Sequence, residues 1–237
     1  MDIVELFGIA SAPGVAIMLY IYLKDKHERE PLSLLLISFI YGMLSTAITV
    51  TISFPVDLLV VLSKHDLVHE FYSAFLKVAL VEEFSKFLFV RFVLYPNKNF
   101  NEPFDGIVYA VMVSMGFATL ENLIYVFNYG LETGLLRMFT AVPAHATFGV
   151  MMGYFLGKAK FTHRRQFYYS VVSLLVATIF HGAYDYFWFI GQVTGIWAYI
   201  WVGAIISLMI GLVLSRNAIR LHQQASPFIE HPASKEL

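Results

Sequence analysis

Four segments of this chain carry residue types that can move protons or hold a metal. They are VEEFSK with Glu82, Glu83 and Lys86, GFATLEN with Glu121, PAHATFG with His145, and HGAYDYF with His181 and Asp185. Each lies inside a long apolar run. Placing a charge at the centre of a bilayer costs roughly 2.5–3.5 kcal/mol on insertion scales, so intramembrane ionisable residues mark function by default. Glu82 and Lys86 are spaced i, i+4, share a helix face and can pair. His181 and Asp185 have the same spacing, which lets the carboxylate orient the imidazole. Phe117 stands one turn before Glu121 and is placed to wall the same face. Counted at about 1.5 Å per residue from the outer end of each run, Glu82 lies ~17 Å deep, Glu121 ~12 Å, and His145 and His181 ~14 Å. The spacing therefore predicts one layer of protonatable groups near the midplane.

Glutamate and histidine in a water-poor pocket can activate water, the carboxylate taking its proton and the imidazoles orienting it, binding an oxyanion or ligating a metal. Lys86 holds one glutamate ionised while the other shares a proton. Other hydrolytic arrangements are absent. The chain has no cysteine, no GxSxG elbow and no HExxH, and Asp185 is the one mid-membrane aspartate where an aspartyl dyad needs two. The last apolar run has no deep lysine of the kind a retinal protein needs.

The elements that position these residues follow from composition. Of 237 residues, 58% are hydrophobic and 14% charged, and the mean hydropathy is +0.67. A soluble domain carries about 25% charge, so the chain is read as a membrane protein. A net charge of -1 gives no footprint for nucleic acid. Apolar runs of spanning length cover 6–23, 31–54, 71–94, 104–129, 136–156, 167–190 and 196–214. The expected fold is an all-α, polytopic bundle of seven transmembrane helices. MDIVELFG lacks a basic leader region, so the first run is read as a retained span. Pro55 is expected to end the second run, and Pro143 to free the carbonyl of Phe139 and kink the fifth. Alternate connections carry twelve Lys and Arg, among them Lys24, Lys26 and Arg29 after the first run and Lys158, Lys160, Arg164 and Arg165 after the fifth. The opposite set carries Lys64 and Arg137. This asymmetry places the N-terminus outside and the C-terminus in the cytoplasm. Residues 1–215 form one transmembrane domain, and 216–237 are read as a polar, disordered cytoplasmic tail. On the fifth run Ala141, His145, Gly149, Gly153 and Gly157 form a small-residue stripe, so His145 is expected to face the bundle.

VEEFSK, GFATLEN and HGAYD resemble the EExxK, FxxxE and HxxxD motifs of the PrsW family of bacterial intramembrane proteases. The segments APG, YLKDKHEREP, DGIVYA and HATFGVMMGYFLGKAKF are also similar to that family, collinearly from about residue 9 to 188. The family is grouped with the CAAX prenyl endopeptidases and bacteriocin-processing membrane proteases, whose patterns are EExxxR, FxxxH and HxxxN; Lys86, Glu121 and Asp185 depart from these and follow the PrsW branch. The resemblance implies an intramembrane endopeptidase of the bacterial cytoplasmic membrane. Its implied substrate is a single-pass membrane protein, such as an anti-sigma factor cut at its outer side. It also implies Glu82 as general base, Glu83 holding or sharing its proton, His181 positioning water or binding a metal, and Asp185 orienting His181, with Lys86 beside the glutamates. Glu121, His145 and Phe117 are expected to position substrate or water. His145, His181 and Glu121 supply an N, N, O set for zinc, and a metal-free glutamate protease fits the same residues. The competing reading is a proton-coupled transporter or channel using the same Glu, His, Lys and Asp network; a third is a seven-helix receptor or scaffold.

Overall fold

The computed structural model describes residues 3–60 and 66–229, and among them all regular structure is helical. Lys64 and residues 230–237 of the expected tail lie outside the described residues. Nine α-helices follow in order: α1 Ile3–Lys24, α2 Leu32–Val60, α3 Leu67–Tyr72, α4 Leu80–Phe89, α5 Pro103–Tyr129, α6 Leu131–Phe139, α7 Ala141–Phe161, α8 Gln166–Thr194 and α9 Ile205–Gln224. Six helical stretches are long and apolar enough to cross a membrane, with α6 and α7 together forming one of them. The seventh expected span is also present, but in pieces. The backbone stays helical from Leu67 to Leu94, with wide π-helical turns at Ser73–Ala79 and Val90–Leu94 on either side of α4. Such turns cluster at functional sites in helical proteins.

The protein is a polytopic helical bundle, and α5 is its centre. From Pro103 to Thr119 every α5 side chain is buried, as expected for a helix that is hydrophobic all round. Helices α1, α2 and α7 pack along it. The α5–α7 seam is set by the glycine stripe: a Cβ at Gly149 would lie 2.6 Å from Ser114 Oγ, one at Gly153 would run into the Gly106 carbonyl, and one at Gly157 into the Pro103 carbonyl. Small residues thus let the two backbones touch in the half of the bundle next to the Lys/Arg-rich connections.

Three boundaries differ from the expected ones. Helix α2 continues through Pro55 to Val60, because a proline inside an apolar span bends a helix that has no better way to satisfy its backbone in lipid. The fifth run breaks at Thr140 (φ −121°, ψ −78°) into α6 and α7; Pro143 stands in the first turn of α7, so the carbonyl of Phe139 has no α-helical partner. Residues 216–224, expected in the tail, extend α9, with Ala218, Ile219 and His222 buried. His222 stacks on Tyr154 of α7, ring centroids 4.4 Å apart.

At the Lys/Arg-rich end, YLKDKHEREP and DGIVYA meet. Tyr109 donates a short hydrogen bond to Glu30, and Asp105 accepts from the backbone N–H groups of Asn101 and Glu102, both at 2.7 Å, capping α5.

Candidate active site

Glu82, Glu83 and Lys86 stand on α4, Phe117 and Glu121 on α5, His145 on α7, and His181 and Asp185 on α8. The bundle brings all eight into one cluster. The expected partner of Lys86 was Glu82, one turn away, but the shorter contact is to Glu83: Lys86 Nζ is 2.7 Å from Glu83 Oε1 and 3.6 Å from Glu82 Oε2. Lys86 and Glu83 are fully enclosed, and the Phe117 ring covers the ammonium at 3.9 Å. Phe117 thus roofs Lys86, while its ring centroid lies 5.6 Å from that of His145.

His181 sits between carboxylates from two helices. Its Nδ1 is 2.9 Å from Glu83 Oε1, and its Nε2 is 3.1 Å from Asp185 Oδ2 and 3.9 Å from Glu82 Oε2. The ring stacks on Phe148 at 4.7 Å and meets the His145 ring edge-on at 5.0 Å. His145 Nδ1 lies 3.2 Å from Lys86 Nζ, and its Nε2 lies 2.9 Å from Glu121 Oε2. An ammonium has donors only, so Nδ1 accepts and the Nε2–H donates to Glu121. The tautomer of His145 is therefore set by α4 on one side and α5 on the other.

A cavity of about 480 Å³ opens onto this cluster. Glu82, Glu121, His145, His181 and Asp185 line it; Glu83, Lys86 and Phe117 do not. Its wall continues through Tyr125, Tyr129 and Thr133 to Gln192, near the C-terminal ends of α5 and α8. It thus opens away from the Lys/Arg-rich end, and α6 forms part of its mouth.

Arg137 is a site residue that sequence reasoning counted only as an outer-flank charge. On α6 it reaches back into the cavity wall, with Nη2 2.8 Å from Glu121 Oε2 and the guanidinium 3.9 Å over the Tyr125 ring. A signal was available: Glu121 had no counter-charge in its own helix, and Arg137 stands just before the Pro143 break that folds α6 back.

Three donors lie close enough together to hold a metal, which would replace one of the present contacts on each imidazole. One ligand atom each from Glu82, His145 and His181 lie within 4.8 Å of one another, and Glu82 Oε2 is buried without a hydrogen-bond partner. Two imidazoles and a carboxylate are the donor types of catalytic zinc sites. The expected set had Glu121 in place of Glu82. Glu121 instead bridges His145 and Arg137, which is the place of a carboxylate that orients a ligating histidine.

A family model described as PrsW family intramembrane metalloprotease matches residues 30–214. Among curated relatives, one named Protease PrsW from Geobacillus kaustophilus (strain HTA426) is 42% identical over 184 residues, covering 77% of this chain and 79% of the relative. The Protease PrsW of Bacillus subtilis (strain 168) is 38% identical over 187 residues, 76% and 83% of the two chains. That of Clostridioides difficile (strain 630) is 34% identical over 191 residues, 77% and 78%. No solved structure gives a significant match.

Proposed function

The chain belongs to the PrsW family of intramembrane metalloproteases, and we propose that Glu82 is the general base with which this membrane-embedded protease hydrolyses a single-pass membrane protein. The observation that carries this reading is the division of the glutamate pair. Glu82 lines the cavity and its Oε2 makes only the longer ion contacts to Lys86 and His181, whereas Glu83 stays off the cavity with its Oε1 held between Lys86 and His181.

Glu82 takes a proton from a water in the cavity as the water oxygen bonds to the scissile carbonyl carbon. The C–N bond then breaks, and the proton passes from Glu82 to the departing amine, leaving a carboxylic acid and an amine. Glu83 and Lys86 act as positioning residues, fixing His181 and His145. Asp185 holds the other side of the His181 ring. His145, His181 and one oxygen of Glu82 would hold a metal, zinc by its preference for this donor set, and the second Glu82 oxygen would then be the one that takes the proton. When bound it supplies Lewis-acid polarisation and acidifies water. The aromatic wall accepts an unwound peptide, and the outward mouth suits a substrate of anti-sigma-factor type cut near its outer side, in the cytoplasmic membrane of a bacterium.

A proton relay is a poorer fit. Between Tyr109 and Glu121 α5 carries no ionisable side chain over about 18 Å of helix, so a path from the cluster to the inner end is interrupted along the central helix.

The test is cleavage of a tagged single-pass substrate by purified enzyme in proteoliposomes. Glu82→Gln should lose ~10²–10⁴-fold in rate, and His181→Ala should be similarly inactive. If Glu82→Gln retains the wild-type rate, the base assignment fails; if activity survives exhaustive chelation, the metal assignment fails.

A further inference from the structure

A second cavity, of about 670 Å³, lies between the Val90–Leu94 turn and the start of α8, away from the catalytic cluster. Its two ends differ in chemistry. Arg91, Arg164 and Ser170 stand at one end, and Phe87, Leu174 and Leu175 line the other. The polar end is at the level of the Lys/Arg-rich connection that precedes α8. Leu174 and Leu175 are eight and nine residues beyond Gln166, the first residue of α8, so the groove runs ~12–14 Å along this helix from its start toward the middle of the span.

Among the described residues the two arginines lack anionic partners: neither has a carboxylate within ion-pair distance, and no Asp or Glu lines the groove. Arg91 is held in place: its Nε donates to Ser170 Oγ at 3.1 Å, and its guanidinium lies 4.2 Å over the Tyr95 ring. Ser170 in turn donates to the Gln166 carbonyl at 2.8 Å. An anchored guanidinium is a pre-organised fork for phosphate oxygens. At the deep end Leu175 is 51% exposed, leaving an open apolar channel beneath the charges.

We propose that this groove binds an anionic phospholipid of the cytoplasmic leaflet, its phosphate held by Arg91 and Arg164 and one acyl chain lying along Phe87, Leu174 and Leu175. Charge complementarity selects the headgroup, and the ordering of polar and apolar walls along the membrane normal selects a lipid over a soluble phosphate. The occupant would contact α4 beside the catalytic cluster, because Phe87 directly follows Lys86.

The experiment measures lipid retention by native mass spectrometry on the full chain in detergent, with phosphatidylglycerol and phosphatidylcholine of identical acyl chains. Two near-surface arginines predict a first phosphatidylglycerol held about 30-fold more tightly than phosphatidylcholine. Arg91→Gln with Arg164→Gln should bring the ratio close to one, and the double lysine variant should keep most of it. Leu175→Trp, which leaves both arginines but fills the channel, should lower phosphatidylglycerol retention. Glycerol phosphate, lacking chains, should not compete. Equal retention of the two lipids by the wild type, or an unchanged preference in the double glutamine variant, overturns the proposal. Competition by glycerol phosphate at the same concentration as the lipid overturns it in favour of a plain phosphate site. Should the double glutamine variant fail to fold, Leu175→Trp and the competition arm decide.

Discussion

Replacing Arg137 by glutamine removes the guanidinium that α6 presents to Glu121 and keeps a polar side chain of moderate length. The pair is partly enclosed, with side-chain exposures of 14% and 19%. Its loss should fall between that of a surface pair, up to about 1 kcal/mol, and that of a fully buried one, about 3–5 kcal/mol. A destabilisation of about 1–3 kcal/mol follows. The functional cost has a separate origin. Glu121 holds the Nε2–H of His145, and outer-shell partners of a ligating histidine are typically worth ~10–100-fold in metal affinity or activity. Time courses of substrate cleavage in proteoliposomes, run with thermal unfolding of the same preparations, separate the two costs. The double variant Arg137→Gln, Glu121→Gln is the decisive sample. If Arg137 acts through Glu121, the double variant is no slower than Glu121→Gln alone. A rate for Arg137→Gln within about twofold of wild type, or fully additive losses in the double variant, would refute the chain of contact from α6 to His145.

Further outcomes test other parts of the structure. Gly153→Ala puts a methyl group against the Gly106 carbonyl and should destabilise by about 1–3 kcal/mol, whereas Gly8→Ala, with nothing within 4 Å of the added carbon, should be neutral; unfolding midpoints in detergent compare them. His145→Ala should lower bound metal per chain, measured by elemental analysis after dialysis, with Phe148→Leu as a control that keeps all three donors. Stability should also depend on pH through the first connection. Burial pushes Asp25 up to about 7, the Glu102 carboxylate adding to it, and burial likewise pushes Glu30 up to about 7 against the opposing hydrogen bond from Tyr109. The folded protein keeps these protons at pH values where the unfolded chain, titrating near 3.8 and 4.5, has released them. The contribution of these two groups therefore falls as pH rises from about 4 to about 7 and is constant above that. Asp25→Asn with Glu30→Gln should flatten this dependence in thermal unfolding at pH 5 and 7.5; a variant with the wild-type slope contradicts the assignment.

Much of the arrangement was legible in the chain because bilayers make charge conspicuous. The common depth of Glu82, Glu121, His145 and His181 follows from helical rise alone, and the His181–Asp185 contact from i, i+4 spacing. The choice between Glu82 and Glu83 was not legible. Both lie within one turn of Lys86, and only the approach of α8 encloses one and leaves the other facing the cavity. The π-helical turns around α4 have no sequence signature of their own, so one span was expected where the structure has a segmented one. Arg137 was misplaced because a charge near a span end looks like a topogenic flank. Its role depends on the break at Thr140, which sets the direction of α6. The extension of α9 past Leu214 was hidden by polarity, since its burial comes from packing on α7, with His222 stacked on Tyr154.

The backbone contact between Gly106 and Gly153 has a consequence for the cell as well as for the fold. An enzyme that admits water to the middle of a membrane risks becoming a leak that collapses the ion gradients on which the cell runs. Here α5 and α7 meet at Gly106 and Gly153, toward the Lys/Arg-rich connections, without room for a methyl group. The cavity beside Glu82 opens at the other end of α5, so this seam lies where a continuous water path through the bundle would have to pass.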